Sequence, residues 1–155
     1  MTNDLSSPTC FAADGDDVYM GYAAPDELLT ALTELRKLKC VGRRLASAVA
    51  ESVDDPKLAQ LVAIHSEEDA HWVVVLSRHI QRLGGSADFL ESKSLKPDDL
   101  SKRAIDIHWL RSRLVVRLEA LVPRVRDDAL HADLVEMALK DRASIARAEK
   151  CLRRT

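Results

Sequence analysis

A chain of 155 residues, 46% hydrophobic and 31% charged, suits one domain with one sizeable core and is too apolar for global disorder. Its 23 basic and 25 acidic residues leave a formal charge of −2, without the basic excess of a nucleic-acid binder. No apolar run approaches the ~20 residues of a membrane span, so no membrane partner is expected.

Residues 1–23 read as a flexible N-terminal arm rich in Asp, Ser and Gly, with VYMGY (18–22) its one sticky patch. The acidic start lacks a secretory pattern, and Cys10, Cys40 and Cys151 are odd in number and widely spaced. Reduced thiols and a cytoplasmic location are the expectation.

Residues 24–155 predict an all-α domain of four helices. The first opens at APDELL, with Pro25 at N1 and Asp26 and Glu27 in the first turn, and runs to about Glu51. The second opens at DDPKL, with Asp55 as N-cap, and closes at RLGG, where Gly84 suits a left-handed C′ position. A connection over 84–98 follows. The third helix starts at Pro97 or Asp98 and runs to Val122, stopped by Pro123; the fourth is capped by Asp127 or Asp128 and reaches about Arg153.

The short links make two antiparallel hairpins. The middle link of about 13–15 residues reaches roughly 45–50 Å, enough to pass a helix of ~26 residues, about 39 Å long. Its length permits a long crossover along the bundle. A plain up-down-up-down bundle is the competing arrangement.

The inward stripes carry polar residues that need partners if buried. On the first helix the stripe is Leu28, Leu32, Leu35, Leu38, Gly42, Leu45 and Val49, with Glu34 and Lys39 beside it. On the second, His65, Glu68 and His79 interrupt an apolar seam, and His71 lies on its shoulder. The third presents Ile107, Leu110, Leu114, Leu118 and Leu121, with His108 and Glu119 alongside. The fourth has Asp141 alone among Leu130, Leu134, Met137, Ile145 and Ala148.

Glu68 and His71 form a Glu-x-x-His pair inside HSEEDAHW (65–72). Over about residues 18–152 the chain resembles the ferritin-like superfamily, and more narrowly a group of bacterial ferritin-like proteins of unknown function. The resemblance rests on YMGY, on EEDAHW followed by RHIQRLGG, and on VVRLEALVPRVRDDALHADLVEM. It implies a ferritin-like four-helix bundle and a di-metal centre, built from a carboxylate on each of two helices and Glu-x-x-His on each of the others. The matching candidates for metal are Glu68, His71, Glu119 and Asp141. The fourth helix has Ser144 where the second histidine belongs, and the first offers no inward carboxylate. The pattern is therefore a degenerate site. Lys39 is expected to replace metal charge by pairing with Glu68, Asp141 or both, with His65 a second charge partner.

Three functions follow as expectations. The first is a non-catalytic bundle acting through association, as a homodimer, or as a structural or regulatory module, with no cofactor. The second is a reduced iron, manganese or zinc site serving metal handling or oxidative-stress chemistry. The third is an apolar ligand pocket between helices, supported by Gly42. No nucleophile triad or phosphate-binding glycine loop points to an enzyme.

Overall fold

The computed structural model describes residues 18–86 and 100–154, with 100–105 and 152 described by their backbone alone. Four long helices make up the described part: α1 (Pro25–Ser52), α2 (Pro56–Arg82), α3 (Leu100–Leu121) and α4 (Asp128–Leu152). No strand occurs among the described residues. Residues 1–17 of the expected arm, 87–99 of the expected connection, and the expected third-helix start at Pro97 or Asp98 lie outside the described residues, as does Cys10.

Local chemistry sets the helix ends. Pro25 and Pro56 occupy first helical positions, where a missing N–H costs nothing. The Asp55 carboxylate accepts from the Lys57 N–H at 2.9 Å, and that of Asp127 accepts from the Leu130 N–H at 2.8 Å. Gly84 takes φ +84° just past α2, and the Gly85 N–H closes the end by donating to the Ile80 carbonyl at 2.8 Å. Pro123 sits in a 3-10 turn, Val122–Arg124, that breaks α3 from α4.

Cross-helix polar pairs fix the directions. Glu27 pairs with Arg124 at the start of α1, and Glu34 with Arg117 further along, so α1 and α3 are antiparallel. Arg82 meets Asp127, and Glu68 meets Ser144, so α2 and α4 are antiparallel too. The α1–α2 and α3–α4 hairpins complete the four packed neighbours, leaving α1 opposite α4 and α2 opposite α3. Each opposite pair runs parallel. Hence α2 finishes at one end of the bundle and α3 begins at the other.

The buried seams keep alternating four- and three-residue steps throughout. They are Leu28, Leu32, Leu35, Lys39, Gly42, Ala46, Val49 on α1; Val62, His65, Asp69, Trp72, Leu76, His79 on α2; Ile107, Arg111, Leu114, Leu118, Leu121 on α3; and Leu130, Leu134, Met137, Asp141, Ser144 on α4. This is knobs-into-holes spacing. It corrects the expected faces by one position on every helix, on α4 by burying Ser144 and not Ile145. Lys39 and Ala46, not Leu38 and Leu45, are buried on α1; Asp69 replaces Glu68 on α2; Arg111 replaces Leu110 on α3.

The apolar core is thereby cut in two. The larger cluster contains Leu32, Trp72, Leu76, Leu118 and Met137; the smaller contains Ala46, Val49, Val62 and Ile107. Between them lie the four charged seam residues, one from each helix.

Candidate functional site

Lys39, Asp69, Arg111 and Asp141 form a closed ring of alternating charge at mid-bundle. Each residue is at most 5% exposed. The Lys39 ammonium donates to the Asp141 carboxylate at 2.6 and 2.8 Å and to Asp69 at 3.0 Å. The Arg111 guanidinium lies 3.1 Å from Asp69 and 3.5 Å from Asp141. Lys39–Asp141 and Asp69–Arg111 each span a diagonal of the bundle, and the remaining two contacts join the diagonals.

Two positive and two negative groups leave the ring neutral. That balance matters, because each ion taken from water costs several kcal/mol unless partners replace its hydration. Burial pushes the Asp141 carboxyl above the ordinary range, while Lys39 and Arg111 pull it back down. Arg111 also donates to the His65 backbone carbonyl at 3.2 Å, tying α3 to α2.

Gly42 makes the ring possible. A Cβ there would stand 2.9 Å from Asp69 Oδ2, the oxygen that faces Arg111. Gly42 was the support for an apolar pocket between helices, but the space beside it is filled by a carboxylate.

The four expected metal residues are not brought together. Glu68 is half-buried; it accepts from Ser144 at 2.8 Å and from Arg147 at 3.0 Å. Burial pushes its carboxyl up, but those two hydrogen bonds, together with the charges of Arg147 and Arg111, hold the group below its ordinary value. His71 is exposed, its ring edge-on to Trp72 at 4.9 Å between centroids. Glu119 pairs with Arg142 at the surface, which lowers its pKa. Only Asp141 belongs to the centre. Lys39 does pair with Asp141, as expected, but its second partner is Asp69 and not Glu68.

His65, expected as a charge partner, stays neutral. Burial, helped by the Arg111 charge, pushes its pKa down to about 4. Its Nδ1 has no hydrogen-bond partner, with Glu68 the nearest carboxylate at 3.7 Å.

These residues do not fit a two-metal centre. Asp69 and Asp141 are the carboxylates that converge, and two side-chain cations already neutralise both. A divalent ion beside them would face Lys39 and Arg111 at contact distance. Among the described residues, no group of three His, Cys, Asp or Glu side chains could hold a metal ion. Cys40 and Cys151 are free and half-buried. No described helix is long and apolar enough to cross a membrane.

Sequence reasoning missed Asp69 and Arg111. The signal was present: stepping by four and three from Val62 reaches Asp69, and from Ile107 reaches Arg111. Lys39 falls on the same kind of step from Leu35.

Residues 26–150 match the model of a family described as a domain of unknown function (DUF6306). No curated protein matches the chain.

Proposed function

We propose that this chain, which belongs to the DUF6306 family, is a ferritin-like bundle whose metal centre has given way to a ring of ion pairs. It works by association, as a homodimer or a structural or regulatory module, and not by catalysis. The observation that carries this reading is the neutral ring itself. Two side-chain cations stand at mid-bundle between two carboxylates, at the level where a ferritin-like protein holds two metal ions.

The helix directions support the ferritin-like part. Two antiparallel hairpins whose inner helices run parallel need a crossover along the bundle, which is that class's plan. Ser144 adds to it: the residue in the place of the missing histidine caps Glu68 with a hydroxyl and gives a metal no nitrogen.

Association is supported by the outer face of α3. Trp109 is 64% exposed and Val116 67%, two turns apart, and they line one groove with Ser112. Large exposed aromatics of this kind anchor interfaces. A second copy is the proposed occupant. In sedimentation velocity the protein is expected to run as a dimer, and Trp109→Ser to weaken that dimer at least tenfold; a monomer at all concentrations rejects the association reading.

The metal question is tested by elemental analysis of protein purified without an affinity tag, with Asp141→Ala alongside. The expected result is no stoichiometric iron, manganese or zinc, and a Tm unmoved by added Fe(II) or Mn(II). One or two equivalents of metal, lost in Asp141→Ala, would overturn the reading and place the chain in metal handling.

A further inference from the structure

The inner face of α4 is buried through Leu130, Leu134, Met137, Asp141 and Ser144. Its opposite face is apolar as well. Ala132, Leu139 and Ala146 recur every seven residues along it, with Val135 and Ala143 between them. Val135 is half-buried and the others are exposed, Leu139 to 65%. A solvated helix turns charged and polar residues outward, whereas a helix that is apolar all round is one that is covered all round. The charges that flank the strip are already satisfied: Glu136 by Lys140, Arg142 by Glu119 and Arg147 by Glu68.

Two charges remain, one at each end of the strip. Asp128 lies eleven residues before Leu139 and Lys150 eleven after it. Eleven residues make about three turns, so both stand in line with Leu139. Both are exposed, and neither has an ion-pair partner among the described residues. Ala132 and Ala146 stand seven residues to either side of Leu139, and Val135 and Ala143 four. The strip is thus symmetric about Leu139 in its apolar residues and opposite in charge at its two ends.

That pattern selects the occupant, because such a strip is complementary to itself turned end for end. A second copy laid antiparallel, with the two-fold axis at Leu139, brings the two Leu139 side chains together. Ala132 then faces the partner's Ala146, Val135 the partner's Ala143, and Asp128 the partner's Lys150. A parallel copy would set Asp128 against Asp128 and Lys150 against Lys150, and like charges in register oppose docking.

We propose that the outer face of α4 is a self-association surface, on which a second copy of the chain packs antiparallel about Leu139. This face is separate from the Trp109 groove on α3, and the proposal does not rest on that contact. A seam one helix wide and about 33 Å long is smaller than a standard stable interface of ~800 Å² per partner. The contact is therefore a weak one, and it shows as concentration rises.

Sedimentation equilibrium over a wide concentration range tests it, on the full chain and on Trp109→Ser, which removes the α3 contact. Association is expected to persist in Trp109→Ser and to weaken at least tenfold when Ala146→Glu is added. That glutamate is harmless on a solvated helix, so Tm should not move, but in the seam it would be buried against the partner's Ala132. Lys150→Glu should weaken the contact about fivefold at low salt, since both end pairs become repulsive. Adding Asp128→Lys should restore it to within about twofold, because both pairs re-form with their signs exchanged. Association that is undiminished in Trp109→Ser but lost with Ala146→Glu would support the α4 surface while rejecting the α3 one. The proposal is overturned if Trp109→Ser is a monomer at every concentration, or if its association ignores Ala146→Glu. It is also overturned if exchanging both charges restores nothing.

Discussion

Lys39 carries an ammonium group to a position that is 1% exposed, among leucines, and three contacts of 3.0 Å or less compensate for its lost water. Such a group is held by its partners, and so are they by it. Gly42 illustrates how tight the fit is. Replacing a helical glycine by alanine ordinarily gains up to about 1 kcal/mol. Here the new methyl would push on Asp69 Oδ2, which Arg111 holds in place. Gly42→Ala is therefore expected to lose about 1–3 kcal/mol in urea unfolding, as overpacked cores do. A gain in stability would mean that Asp69 can move aside.

His65 gives the residue scale a pH signature. Its folded pKa of about 4 lies below the ordinary 6.5, so between these values the unfolded chain binds the extra proton. Its contribution is complete above about pH 6.5 and declines as pH falls toward 4. The slope approaches at most about 1.4 kcal/mol per pH unit for one proton. Asp141, with its raised folded pKa, acts with the opposite sign in the acid range. Comparing wild type with His65→Met between pH 7 and 5 isolates the histidine. The wild type is expected to lose stability more steeply; equal slopes would mean that His65 titrates normally.

At the scale of the element, each helix is a heptad seam with one charged residue near its centre. The helix count, the proline starts, the Asp55 and Asp127 caps and the Gly84 stop were all legible in the sequence, because each rests on local backbone chemistry. The centre was less so. Leu38, Leu45 and Leu110 look like better seam residues than Lys39, Ala46 and Arg111, since Lys and Arg are almost never fully buried without partners. Those partners sit on other helices, where no single-helix pattern can show them. Glu68 drew attention through its Glu-x-x-His spacing, while its neighbour Asp69 was the one aimed inward. The Gly84 stop can be checked directly. At φ +84° a Cβ is strained, so Gly84→Ala is expected to cost about 1 kcal/mol, although the site has open space. No change in unfolding midpoint would mean that α2 ends equally well without a left-handed residue.

At the scale of the whole molecule, the ring divides an otherwise continuous core and joins all four helices at one level. An apolar quartet of similar volume would be at least as stable, since buried ion pairs seldom exceed hydrophobic replacements. What the ions add is register: each helix has a single height at which its charge meets both partners. A register role of this kind is the best-attested use of buried polar groups in helical assemblies. In the proposed ferritin-like reading, the ring takes over the alignment that metal ligands would supply.

The most direct measurement is a double-mutant cycle in urea unfolding across one diagonal, with Lys39→Met, Asp141→Leu and both together. Each single change strands a buried charge and is expected to cost about 3–5 kcal/mol. The double change leaves Asp69 and Arg111 as a neutral pair 3.1 Å apart. It should therefore be more stable than either single variant, with a coupling of at least about 2 kcal/mol. If the two losses simply add, the four charges are not a closed ring and the account of the centre fails.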